Sequence, residues 1–370
     1  MSAALTLPRL VFGRGKLASL SDELAMLGVT RPLLVSDRGL DKAGIVARVA
    51  QAAPTIAAQF LDVPENPTAA GVEQAAVVWR ENGCDSIIAL GGGSVLDTAK
   101  LLSSFVTTGL PKAAQLIANP ALVTRDVIPL IAVPTTIGTG AESSPVTGLH
   151  IEPGQPAVGT RSPFLVPRVA LCDPDLTRTL PPRLIAATGI DALSHCIEGF
   201  LANSTHPIID ALALDGIRRV VADIADALRP DGDDARGSLM AAAYAGGVAI
   251  HKGLGPAHAF ALAFSDQHVH HGTMVGVALP WTTRLVAQHN HEKANKLREA
   301  LGLLHDADIG DALAGLIASL GVPTTLAAAG YALIAREHVL DLVVASHFNR
   351  TSGYVPKRAE YGAILDTIAG

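Results

Sequence analysis

Four short apolar runs punctuate the first half of the chain: Pro32 to Val35, Ser86 to Leu90, Ile128 to Val133, and Val169 to Cys172. Each stops at a polar or glycine-rich turn. Near-continuous apolar runs of this length are how strands buried on both faces of a parallel sheet read. Helical spacing fills the intervals between the first three, and the order strand–helix–strand predicts an α/β unit with a doubly wound sheet. The pattern changes at Leu180-Pro181-Pro182. Beyond it, Ala- and Leu-rich stretches with helical spacing run from Arg183 to Leu201, Pro207 to Leu228 and Arg236 to Ile250, and continue to the C-terminus. The second half is expected to be all-α. The proline pair marks the boundary, since proline ends one element and can open the next helix. The expected domains are therefore 1–180 and 181–370.

A chain of 370 residues exceeds one ordinary core, which agrees with two domains. Composition adds mainly exclusions. The net charge of −6 leaves no basic face for nucleic acid. No run of about 18 apolar residues suggests a membrane span; the apolar stretch from Met240 to Ile250 is short and fits a buried helix. The opening MSAALTLPRLVFGRGKL lacks the pattern of a targeting segment. Cys84, Cys172 and Cys196 form no CxxC pair and read as small buried hydrophobes in a reducing, cytoplasmic setting.

Candidate chemistry lies at the turns. Gly91-Gly92-Gly93-Ser94 follows a strand and opens a helix, a place where free N–H groups and the helix dipole hold a phosphate. Ser94 can cap that helix or bind a phosphate oxygen; a plain glycine-rich turn is the other reading. Asp37, at the end of an earlier strand, suits either an adenosine ribose or the cap of the helix that follows. In the ribose role it repels a 2′-phosphate and favours NAD over NADP. Thr135, Thr136 and Thr139 lie in a small, hydroxyl-rich loop after another strand. In the second half, Asp191 and His195 stand four apart on one helix face, and His258 and His271 follow later. One carboxylate and three imidazoles suit Fe²⁺ or Zn²⁺ with positions left for a substrate oxygen. The same spacing also fits a helix-surface hydrogen bond, and His270-His271 also fits a solvated turn.

Taken in order, VSDRGL, the Glu65-Asn66-Pro67 turn, ALGGGSVLDTAK, PTTIGTGAE, LCDPDLTRTLP, GIDALSHCIE, GLGPAHA and HHGTMVGVALP resemble the iron-containing, or group III, alcohol dehydrogenases over essentially the whole chain. The resemblance implies a dehydroquinate synthase-like architecture, with an N-terminal dinucleotide-binding domain, a C-terminal helical domain and a catalytic metal. It implies the ligands Asp191, His195, His258 and His271. It implies NAD contacts from Asp37, Asn66, Gly92, Gly93, Ser94, Thr135, Thr136 and Thr139. The activity implied is reversible hydride transfer between NAD(H) and a small primary alcohol or aldehyde, in a homodimer or larger homo-oligomer. Within the family, Lys252, the HHGT turn and the stretch from Asn349 to Tyr361 are most similar to 4-hydroxybutyrate dehydrogenases.

Three departures bear on the substrate and on proton transfer. The family's second histidine, four residues after the third ligand, is Leu262 here, and His251 is the substitute candidate for moving a proton. GTGSE has become GTGAE at Ala141. A family lysine is Arg161, whose fork grips a carboxylate, phosphonate or sulfonate well; Lys252 is the other candidate anchor for an anionic tail. The alternatives are a maleylacetate reductase, a glycerol dehydrogenase-like enzyme, and a non-catalytic nucleotide-binding protein. Asp191 with His195 argues against the first, since those relatives generally lack the aspartate.

Overall fold

The computed structural model describes residues 4–152, 154–267 and 269–370. Met1, Ser2 and Ala3, part of the opening stretch read above, lie outside them. Among the described residues the chain forms two compact units, one of Leu5–Thr136 with Ala141–Leu180, the other of Ile137–Gly140 with Pro181–Gly370.

The first unit carries strands β1 (Arg9–Phe12), β2 (Pro32–Val35), β3 (Ala58–Phe60), β4 (Ser86–Gly91), β5 (Leu130–Pro134), β6 (Val146–Leu149), β7 (Val158–Arg161) and β8 (Val169–Cys172). Helices α1 (Leu20–Leu27), α2 (Arg38–Lys42), α3 (Ile45–Ala52), α4 (Ala69–Glu81), α5 (Gly93–Thr108) and α6 (Ala114–Ala118) alternate with them. Six strands form one sheet in the order β1-β8-β5-β4-β2-β3, every pair parallel. Strands β2, β4, β5 and β8 are buried from end to end, as their unbroken apolar runs require. Successive residues feed opposite cores: Leu33, Ile87 and Ala132 pack on one face, Leu34, Ile88 and Ile131 on the other. The third run was expected to begin at Ile128, but the strand begins at Leu130 because Pro129 has no N–H for the ladder. The edge strands β1 and β3 and the antiparallel β6–β7 pair were not anticipated. All are three or four residues long and only partly buried, so they carry no continuous apolar signal.

The strand order fixes where a ligand can lie. From β2 the chain crosses to β3 on one side; from β4 it crosses to β5 on the other. The turns after β2 and β4 therefore diverge and leave a crevice at the carboxyl ends of the strands, the place where doubly wound sheets bind ligands. Ser36 donates from its hydroxyl to the Leu90 carbonyl at 2.8 Å and ties the two strand ends together.

The second unit contains helices α7 (Pro182–Leu201), α8 (Pro207–Ala227), α9 (Asp233–Ala249), α10 (Pro256–Ala263), α11 (His271–Gln288), α12 (His291–Ala300), α13 (Ile309–Ser319), α14 (Arg336–Ala345) and α15 (Arg358–Ala369). Pro181 occupies the N-cap of α7 and Pro182 its first turn. Helix α7 is the axis of the unit, buried from Ile185 to Leu201 and flanked by α8, α9 and α11. By length and apolarity it passes for a bilayer span, yet it lies buried inside the helical unit, so it serves as a core helix. The stretch from Met240 to Ile250 is likewise the buried end of α9.

One buried charge stitches the sheet unit. Lys100 of α5 is fully enclosed and donates to the carbonyls of Ala141, at 3.0 Å, and Ser144, at 2.9 Å, and to that of Val146. Its ammonium lies 4.0 Å from Asp97. Burial pushes Asp97 up to about 6 and Glu142 up to about 7, and pushes Lys100 down to about 8 against the pull of both carboxylates. Lys100→Met strands three carbonyls and both carboxylates. It is expected to lower the stability of this unit by about 3–5 kcal/mol, read as a fall in the urea midpoint, whereas exposed Lys112→Met at the same cation-to-methionine cost should change it by less than about 0.5 kcal/mol.

Candidate functional site

Asp191 and His195 sit one turn apart on the buried α7, and both are themselves buried. His258 is the third residue of α10, after the N-terminal Pro256, and His271 opens α11. Three separate helices thus meet on one carboxylate oxygen. Asp191 Oδ1 lies 3.8 Å from His195 Nε2, 3.9 Å from His258 Nε2 and 3.8 Å from His271 Nε2. One ligand atom from each of Asp191, His195 and His258 lies within 4.8 Å of the others. The rings of His195 and His258 stack at 4.8 Å. His271 keeps about half of its side-chain exposure.

None of the three contacts to Asp191 is a hydrogen bond, since each exceeds the roughly 3.2 Å that N–H···O bonds reach. Asp191 Oδ1 and His258 Nε2 are buried with no hydrogen-bond partner among the described residues. Orphaned buried polar atoms are rare and need a cause. A cation shared by these groups would supply one. Two donor atoms each about 2.1 Å from one ion stand at most about 4.2 Å apart, and the three separations from Asp191 Oδ1 fall inside that limit. The donor set of one carboxylate and three imidazoles fits divalent iron or zinc.

The outer ring nitrogens hold the imidazoles in place. His258 Nδ1 lies 2.6 Å from Glu198 Oε2, and His195 Nδ1 lies 3.3 Å from the Gly138 carbonyl. Each Nδ1 facing an acceptor carries the proton, which leaves Nε2 as a bare lone pair toward Asp191. Burial, with His258 adding to it, pushes His195 down to about 3, so that imidazole is neutral at physiological pH. The Gly138 carbonyl reaches His195 because residue 138 has no side chain: a Cβ there would stand 2.4 Å from the Thr188 carbonyl oxygen.

The glycine-rich turn occupies the crevice of the sheet unit. Gly92 is the N-cap of α5 and Gly93 its first residue. A Cβ on Gly92 would stand 2.9 Å from the Thr136 methyl, so the two turns can touch only through glycine. The Thr135 N–H donates to the Gly91 carbonyl at 3.0 Å. Ser94 does not cap α5; its hydroxyl donates instead to the Glu65 carbonyl, which draws the Glu65-Asn66-Pro67 turn to this helix end. Asp37 caps α2, accepting from the Leu40 N–H at 2.9 Å, which is the second of the two roles open to it in the sequence. Thr139 belongs, with the rest of Ile137–Gly140, to the helical unit.

The candidate substrate residues fare differently. Lys252 was expected at an anionic tail. Its side chain is instead fully enclosed, ion-paired with Asp210 and donating to the Phe200 carbonyl at 3.2 Å, so it is not available to a ligand. Arg161 ends β7 and is exposed. His251 is buried just past the end of α9. Two neighbours of the metal cluster escaped the sequence reading. Glu198 continues the stripe Asp191, His195 at the next i+3 position of α7, a spacing that could have revealed it. Phe348 sets its ring edge against His258 with centroids 5.8 Å apart, and no local pattern announces it.

Comparison with known proteins places this geometry. A model of iron-containing alcohol dehydrogenases matches residues 8–174, and one of the Fe-containing alcohol dehydrogenase family, C-terminal part, matches residues 185–368. The chain belongs to the iron-containing alcohol dehydrogenase family. A 4-hydroxybutyrate dehydrogenase from Cupriavidus necator is 36% identical over 366 residues, 95% of this chain and 96% of that one. Lactaldehyde reductase of Escherichia coli (strain K12) is 30% identical over 79% of this chain and 78% of its own length. Among solved structures, sulfoacetaldehyde reductase from Bifidobacterium kashiwanohense in complex with NAD+ is 25% identical, with a TM-score of 0.91 over 100% of this chain and 99% of that one. The family makes this chain an enzyme, an oxidoreductase of the alcohol dehydrogenase type, in agreement with the resemblance read from the motifs.

In the metal-stripped protein, Asp191 Oδ1 is a buried acceptor with nothing to accept. Asp191→Asn puts an amide N–H beside the imidazole lone pairs. It should raise the stability of the stripped protein by about 1–3 kcal/mol, measured as a higher thermal midpoint in the presence of chelator. The unsubstituted protein, not the variant, should gain stability on adding Zn²⁺.

Proposed function

We propose that this family member is an NAD-linked, metal-dependent dehydrogenase of small primary alcohols, acting reversibly on the corresponding aldehydes and suited to substrates with an anionic tail such as 4-hydroxybutyrate. The observation that carries the reading is the unpartnered carboxylate oxygen of Asp191 facing three imidazole nitrogens at 3.8–3.9 Å. Asp191, His195, His258 and His271 would hold divalent iron or zinc in the unit that begins at Pro181. Gly92, Gly93, Ser94, Thr135 and Thr136 would hold NAD, with Asn66 beside Ser94 and Asp37 at the adenosine end, so that the unit ending at Leu180 is the dinucleotide half. The similarity to a 4-hydroxybutyrate dehydrogenase along nearly the full length supports the substrate class.

In the proposed reaction an alcohol gives up a hydride to NAD+ and a proton to the protein, yielding aldehyde and NADH. When bound, the ion supplies Lewis acidity toward the substrate oxygen and NAD supplies the hydride acceptor. The chain's own part is positioning. The Gly138 carbonyl and Glu198 keep two imidazoles turned inward, and burial keeps His195 neutral. The free N–H groups at the start of α5 bind the pyrophosphate. Leu262 has no atom that can take a proton, so the imidazole of His251 takes it instead. With Lys252 committed to Asp210, the guanidinium of Arg161 is the group for a carboxylate tail.

Absorbance at 340 nm, followed with metal-reconstituted protein and NAD+, tests the reading. NADH should form with 4-hydroxybutyrate and simple primary alcohols, and stripping the metal or introducing Asp191→Ala should abolish it; full activity without metal would overturn the proposal. His251→Gln should lower kcat by roughly 10²-fold or more with metal content unchanged. Arg161→Met should raise KM for 4-hydroxybutyrate at least about tenfold while leaving KM for 1-butanol unaltered, a loss consistent with one charge-assisted hydrogen bond of about 1.5–3 kcal/mol.

A further inference from the structure

Glu198 is buried on α7, one turn past His195, and its carboxylate is surrounded by donors from a single short stretch. Oε1 accepts from the Ala257 N–H at 2.7 Å. Oε2 accepts from the Gly255 N–H at 3.0 Å and faces His258 Nδ1 at 2.6 Å. Gly255 is the N-cap of α10, and Ala257 lies in its first turn. The N-cap residue itself supplies no side chain, so Glu198 satisfies from outside the N–H groups that a helix leaves bare at this end. A carboxylate at a helix N-terminus is also favoured by the helix dipole.

Glu198 therefore does two things with one charge. It fixes where α10 begins, and it fixes the tautomer and the ring angle of the histidine that begins it. His195 has a weaker arrangement, a neutral carbonyl at 3.3 Å. A carboxylate draws the Nδ1 proton more strongly than a carbonyl does, and so leaves Nε2 a better electron donor. Isolated, a buried carboxylate destabilises its surroundings; here three donors offset that cost, and the arrangement holds only while all three are in place.

We infer that Glu198 is a positioning residue for the metal: through His258 Nδ1 it sets the affinity of the centre, beyond its part in starting α10. The inference rests on the reading of Asp191, His195, His258 and His271 as ligands. A glutamine in its place keeps the shape but turns one acceptor into an N–H, so one of the three donors meets another donor.

The test uses the full chain with Glu198→Gln and Zn²⁺ as probe, in competition with a chelator of known affinity. Zinc affinity should fall 10- to 100-fold. The thermal midpoint of the metal-free variant is measured alongside. Loss of the helix start alone weakens free and loaded protein equally and leaves zinc affinity unchanged; affinity within twofold of the parent protein would therefore overturn the inference. A second measurement does not depend on the variant folding. In ¹⁵N-histidine NMR of the zinc-loaded parent protein, His258 should coordinate through Nε2 and show a strongly deshielded Nδ1 proton. Coordination through Nδ1 would overturn the inference. Failure of the parent protein to take up zinc, iron or cobalt would instead overturn the ligand reading beneath it.

Discussion

The helical unit is organised around a carboxylate oxygen that has nothing to bond. A buried acceptor left unsatisfied is destabilising by about 1–3 kcal/mol, and Asp191 Oδ1 stands in that condition on a helix buried from Ile185 to Leu201. Three imidazoles turn their Nε2 atoms toward it, and two of those rings are held from behind by Glu198 and by the Gly138 carbonyl. An apolar side chain at position 191 would pack more easily. On the proposed reading a cation at its centre would offset that cost, which is how a folding cost becomes a binding site.

The sheet unit solves a different problem with backbone alone. Reversal of the winding direction between β2 and β4 leaves a crevice that no side chain has to carve. Glycine at 92 lets the neighbouring turn approach, and Ser94 draws in the Glu65-Asn66-Pro67 turn through a carbonyl rather than capping its own helix. Charged side chains enter chiefly as internal ties. Lys100 holds the stretch that follows the threonine loop, and Lys252 in the other unit is spent on Asp210 and the Phe200 carbonyl. A lysine in a family-like motif looks the same on paper whether its ammonium faces a ligand or a neighbouring carboxylate, because only tertiary packing decides the difference.

That contrast explains what could be read from the chain alone. The central strands were legible because burial on both faces forces unbroken apolar runs, and α7 because its length and proline start leave little choice. The edge strands β1 and β3 and the β6–β7 pair were not, since three or four half-exposed residues carry no period. The meeting of Asp191 and His195 was legible from their spacing on α7, but their convergence with His258 and His271 needed the ordered family motifs. The sequence leaves Asp37 two roles, of which the Leu40 N–H on its carboxylate shows the capping one. Glu198 stood in plain view at the next turn after His195, yet its partners Gly255, Ala257 and His258 come about sixty positions later, beyond any local rule.

The four residues Ile137–Gly140 count with the helices although their flanks on both sides count with the sheet. A ribosome releases this tetrapeptide well before α7 exists, so the acceptor for His195 waits in an already synthesised segment. A fragment cut at the proline pair and expressed by itself would begin with α7 intact and still lack the carbonyl that steers its first imidazole. Dissection of this protein into halves therefore calls for grafting a short piece of the earlier chain onto the later one.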